Sequence, residues 1–164
     1  MWQDIRSDKK VWADVLQTML QGNSKDVGVQ KILGGIMRHD IVSDVLSIIK
    51  NGEDSGKTDV IVPASTLVKS ILLVMQKNKM IGEFEYIDNG KGGLFRVQLL
   101  KAINECRAIR PRHAVKLSEY RKYEKRYLPA ASCGFMIVST SKGVMTHNEA
   151  IKLGVGGRLI AYVY

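Results

Sequence analysis

The 164-residue chain is predicted to be an α+β protein of two small packed lobes: an N-terminal αβαββ lobe, then a C-terminal, mostly β lobe with short helices. Three observations predict it. Apolar residues recur at helical spacing in three segments of the first hundred residues. Short β-branched or alternating runs bounded by glycine or proline follow them. Beyond residue 100, strand-like runs outnumber helical ones. A chain of this length can bury a core without disulfides or metals.

Residues 8–21 place Val11, Trp12, Val15, Leu16, Met19 and Leu20 at helical spacing, with Gly22 to end the helix. Residues 22–26 read as a linker, and residues 29–37 form a short apolar stretch around Gly34-Gly35. Residues 1–37 are therefore expected to be an extension, helical or poorly ordered. Asp40 is placed to cap a helix through Lys50, with Ile41, Val45, Ile48 and Ile49 on its inner face and Asn51-Gly52 closing it. Residues 58–62 read as a β-branched strand stopped by Pro63. Ser65 caps the next helix, whose inner face is Leu67, Ile71, Val74 and Met75. Residues 81–87 and 94–100 read as a hairpin around a turn with three glycines, completing a lobe over 38–100.

In the second lobe, 101–164, residues 102–109 are a weak strand and 118–126 a short helix. Residues 133–138 are a strong strand, 146–153 a short helix and 159–163 a final strand. Thr146 and Glu149 have the spacing of a capping box, and Gly154 suits the residue just past that helix. His147, at the first helical position, is expected on the surface.

The charge is uneven. The formal net charge is +9; by count, residues 1–39 carry +2, residues 40–100 carry −1 and residues 101–164 carry +8. Such a concentration suits a partner bearing phosphates. Cys106 and Cys133 lack zinc or disulfide-framework spacing and read as small buried hydrophobes in a reducing compartment. The longest apolar run, Ile71-Leu72-Leu73-Val74-Met75, is too short to span a membrane, and no signal peptide is read at Met1-Trp2-Gln3-Asp4. A cytoplasmic protein is expected, with no cofactor, no metal and no small-molecule substrate.

Three features carry chemistry. A buried strand runs into Ser139-Thr140-Ser141, followed by Lys142 and Gly143. Hydroxyls donate and accept, so they can read base edges and 2′-hydroxyls of RNA, and the lysine adds attraction for phosphate. Taken alone, such a run is more often a turn bonded to its own backbone. The stretch 106–126 interleaves Arg107, Arg110, Arg112, Lys116, Arg121, Lys122, Lys125 and Arg126 with tyrosines. The tyrosines are expected to be core and part of the basic set to meet RNA. Gly156-Gly157-Arg158 is expected to use backbone conformations that other residues avoid, or to let a backbone approach RNA closely. A serine hydrolase using Ser139 or Ser141 with His147 is a weak alternative: no nucleophile elbow is present and no carboxylate is evidently placed to orient the histidine.

Four strings in order, IGEFEYID (81–88), KRYLPA (125–130), VSTSKGVMTHNEA (138–150) and GVGGRLIAYVY (154–164), resemble the universal small-subunit ribosomal protein S-eight family. The similarity covers roughly residues 40–164 and is nearer to archaeal than to eukaryotic members. The resemblance implies a structural, non-catalytic constituent of the small ribosomal subunit that binds the central domain of small-subunit rRNA beside neighbouring ribosomal proteins. It carries rRNA contacts onto Ser139, Thr140, Ser141, Gly143, Gly156 and Gly157, and backbone contacts onto Lys57, Pro63 and Ser65. With the basic residues Lys142, Arg158, Arg110 and Arg112 these make up the expected site. Bacterial members tend to carry Glu where this chain has Arg158, which favours a phosphate contact there. Residues 1–37 have no counterpart in the family pattern; they are a lineage-specific extension, or Met37 is the true start. The other reading is a free RNA-binding regulator of translation.

Overall fold

The computed structural model describes residues 40–164 apart from Asn89, Lys91, Ala131 and Ser132. The features expected in residues 1–37 lie outside the described residues.

Asp40 caps helix α1 (Ile41–Asp54), its carboxylate accepting from the Val42 N–H at 3.3 Å. The buried face is Val42, Val45, Leu46 and Ile49, whereas Ile41 is exposed. The helix also runs past Gly52 instead of ending there. Gly52 is buried because α1 crosses the sheet closely: a Cβ there would lie 2.4 Å from Val60 Cγ1. The glycine read as a helix stop is thus a packing residue. Strand β1 (Asp59–Pro63) follows, then helix α2 (Thr66–Lys77), capped by Ser65, whose hydroxyl accepts from the Val68 N–H. Strands β2 (Ile81–Ile87) and β3 (Leu94–Leu99) form the expected hairpin. All pairings are antiparallel, in the order β1-β3-β2. In β3, Phe95, Val97 and Leu99 point inward while Arg96 and Gln98 face solvent, the alternation of a sheet buried on one side.

The second sheet has the order β4-β8-β6-β7, with β5 also on β8. Its strands are β4 (Cys106–Ala108), β5 (Ala114–Val115), β6 (Phe135–Thr140), β7 (Gly143–Thr146) and β8 (Gly157–Val163). A 3₁₀ turn (Leu117–Glu119) leads into helix α3 (Tyr120–Tyr127), and helix α4 (His147–Lys152) lies between β7 and β8. β5 and β7 have no counterpart in the expected elements.

The strongest strand, β6, is apolar on both faces because both are covered. Phe135 and Ile137 join a core shared with α1, α2, β1 and β3; Met136 and Val138 join a second cluster with Tyr120, Leu128, Ala150 and Leu159. Such a strand reads as a continuous run, not as an alternation. The arrangement is α+β, as expected.

Cys106 is buried; its Sγ donates to the Leu46 carbonyl at 3.3 Å, and burial pushes its thiol up to about 12. Cys133 is exposed, contrary to expectation. The strand begins only at Phe135, after Gly134 turns the chain at φ 84°, so Cys133 precedes the buried run.

Candidate nucleic-acid interface

Strands β6 and β7 form a hairpin in which Thr140 pairs with Gly143, leaving Ser141 and Lys142 as a two-residue turn. Gly143 has φ 114°, a conformation that residues with a Cβ rarely adopt. The three hydroxyls divide their roles. Thr140 Oγ1 donates to the Gly143 carbonyl at 2.9 Å and accepts from the Lys142 N–H at 3.2 Å, so it is engaged within the turn. Ser139 is half-buried and Ser141 exposed. Among the described residues neither side chain makes a hydrogen bond, and neither oxygen is buried. Local bonding therefore accounts for one hydroxyl and leaves two open.

Gly156 and Gly157 do not use the special backbone conformations expected of them. Neither has positive φ. A Cβ on Gly157 would lie 2.4 Å from the Ser139 carbonyl oxygen, and one on Gly156 would lie 2.7 Å from that of Val115. The pair lets the start of β8 close against β6 on one side and β5 on the other. Arg158 consequently sits across from Ser139 in one ladder and from Ala114 in the other.

These contacts enclose an open groove of about 550 Å³ walled by the Ser-Thr-Ser turn, the paired glycines, Arg158 and residues 114–116, with Glu119 at its margin. Glu119, the one carboxylate in the wall, accepts from the Lys116 N–H at 2.9 Å through one of its two oxygens. Lys116 was not among the expected site residues. Its place depends on the β5–β8 pairing, which leaves no local trace in the sequence.

The other expected site residues lie apart from the groove. Arg110 forms an ion pair with Asp40, the cap of α1. Arg112 is exposed and does not line the groove, whereas Lys142 is exposed on the turn itself. Lys57 is exposed between α1 and β1, Pro63 closes β1, and Ser65 is held as the α2 cap; none of the three reaches the groove.

His147 is fully buried, not on the surface. The capping box turns the start of α4 beneath β6: Thr146 accepts from the Glu149 N–H, and Glu149 accepts from that of Thr146. The imidazole Nδ1 then accepts from the Met136 N–H at 3.1 Å, and Nε2 faces a Glu124 oxygen at 3.8 Å. A carboxylate does stand near the ring, but among the described residues neither nitrogen is bonded to a serine hydroxyl. Burial lowers the imidazole pKa, opposed by Glu124. A nucleophile–base pair is therefore not formed.

Among the described residues, no cluster of His, Cys, Asp or Glu could hold a metal ion, and no helix is long and apolar enough to cross a membrane. A family model for ribosomal protein S8 matches residues 40–164, which is 125 of the 164 residues. The chain belongs to the ribosomal protein S8 family. It is a constituent of the small ribosomal subunit and binds rRNA; the family is structural, not enzymatic. The match begins at Asp40, the cap of α1, so the preceding residues lie outside the shared domain.

Proposed function

We propose that this S8 protein binds the central domain of small-subunit rRNA through the groove between the Ser139-Thr140-Ser141 turn and Gly156-Gly157-Arg158, and that this contact supports subunit assembly in the cytoplasm. The observation that carries the reading is the convergence of two unpaired hydroxyls, Ser139 and Ser141, with Arg158 and Lys116 around one open groove. Free hydroxyls read the edges and 2′-hydroxyls of an irregular RNA helix; the cations bind its phosphates. Thr140 and Gly143 shape the turn, and Gly156 and Gly157 set the width of the groove. Lys142 adds a charge at the rim, and Arg158 takes a phosphate. Residues 38–100 and 101–164 act as two lobes, the second holding the main RNA site. Lys57, Pro63 and Ser65 on the first lobe, and Arg112 on the second, are subsidiary contacts. Arg110 braces Asp40 and contributes less than its charge suggests. The motifs quoted above favour an archaeal-type member.

The test is Ser141→Ala. The side chain is exposed, so the fold should keep its thermal midpoint. Binding to a central-domain rRNA fragment should weaken by about 1 kcal/mol or more as a directional bond is lost. Wild-type affinity in that variant would remove the turn from the site.

A further inference from the structure

The tyrosines of the basic stretch do more than fill a core. Tyr120 is wholly buried and donates to the Val155 carbonyl at 3.2 Å. Tyr123 and Tyr127 remain half-buried and join a ladder of rings that reaches from α3 onto β8. His113 lies 5.4 Å from Tyr123, Tyr123 6.3 Å from Tyr127, Tyr127 5.6 Å from Tyr162, and Tyr162 6.2 Å from Tyr164, centroid to centroid. The three tyrosine pairs are stacked within 22° of parallel. Stacked on one another, the rings have few faces left for a base. Their polar ends are another matter. Among the described residues, the hydroxyls of Tyr123, Tyr127, Tyr162 and Tyr164 make no hydrogen bond, and none of the four is buried. The stripe thus offers four phenolic donors to whatever lies against it.

The flanks are cationic. The Arg126 guanidinium stands 5.5 Å from the Tyr127 ring centroid, and Arg107 is opposite Tyr162 across the β4–β8 ladder. Arg121, Lys122 and Lys125 are exposed on α3. Of the nearby acids, Glu124 is turned toward His147, and Glu105 is paired with Arg107. Burial, then Glu105, holds the Tyr162 phenol above its ordinary value, so it stays a donor at neutral pH. The His113 carbonyl accepts from the Leu159 N–H at 3.0 Å, immediately beside the groove wall at Ala114. Tyr164 stands six residues beyond Arg158, about 20 Å along an extended strand.

We propose that the ladder is a second rRNA contact, a track for the phosphodiester backbone that continues the groove, in which tyrosine hydroxyls and the flanking guanidinium groups donate to phosphate oxygens. The proposal rests on the groove being an RNA site. Unpaired donors framed by cations call for an anionic, acceptor-rich occupant, and the strand leaving the groove is the one within reach.

The experiment uses the full chain carrying Tyr127→Phe, Tyr162→Phe and Tyr164→Phe, which keeps the rings and removes three donors, with Ser141→Ala alongside. Affinity for full-length small-subunit rRNA should fall about tenfold in the triple variant. In a second variant, Arg107→Gln with Arg126→Gln, the slope of log affinity against log salt should flatten by about 1.4 to 1.8. If Ser141→Ala is weak but the triple variant binds within twofold of wild type, the ladder proposal falls alone. A weak triple variant beside a normal Ser141→Ala removes the groove reading, and with it the idea of a continuous track. Tyrosine nitration of the wild-type protein guards against misfolded variants. Tyr127, Tyr162 and Tyr164 should be protected in the binary complex with rRNA. Protection seen only in whole subunits would assign the stripe to an acidic protein neighbour and overturn the proposal.

Discussion

Thr140 and Ser141 are adjacent hydroxyl residues with different fates. One closes the turn; the other is left free to bind. The sequence shows three hydroxyls in a row but not which is engaged, because that depends on the pairing of Thr140 with Gly143. His147 is a stronger case. Its neighbours Thr146 and Asn148 are polar, and only the packing of α4 beneath β6 buries it. Because Nδ1 accepts from Met136, a neutral ring carries its hydrogen on Nε2. Burial lowers its pKa, so on acidification the unfolded chain takes up a proton near the ordinary 6.5 while the folded chain does not. Stability is then whole above that value and declines as the pH falls through it toward the folded pKa. The urea midpoint of the wild type should drop between about pH 7.5 and pH 5, and the drop should be smaller in His147→Gln. Equal pH responses would mean that His147 is not the group responsible.

At the scale of elements, local signals were legible and long-range pairings were not. Asp40, Ser65 and Thr146 cap helices because capping is settled within three residues. The β2–β3 hairpin followed from its glycine turn. β5 is not legible in the sequence because its two residues are strand only by pairing with Arg158 and Gly157, over forty positions away. β7 carried a usable sign, a two-residue turn ending in glycine between apolar runs. Gly156 and Gly157 suggest special backbone conformations in the sequence, but in the fold their small size is what matters: β8 could not close on its neighbours with a Cβ there. Gly157→Ala must push β8 away from the Ser139 carbonyl. We expect it to cost about 1–3 kcal/mol in chemical denaturation and to weaken rRNA binding in the same protein. An alanine accepted with neither effect would show that the two strands are not held this closely.

Over the whole molecule, the +9 charge and its bias toward the last third gave the class of partner, and four ordered motifs gave the family. Neither could say which cations face RNA. The fold separates them: Arg158 lies in the groove, whereas Arg110 is tied to Asp40. Arg158→Ala should therefore lower the salt slope of rRNA binding by about 0.7–0.9, while Arg110→Ala should leave it near the wild-type value. The reverse order, measured by titration at several salt concentrations, would move the phosphate contact out of the groove. The most direct test of the account is residue-resolved protein–RNA crosslinking on intact small subunits. Crosslinks should come from residues 139–142 and 156–158. Efficient crosslinking from elsewhere in the domain, with none from either segment, would contradict the groove as the place where this protein holds rRNA.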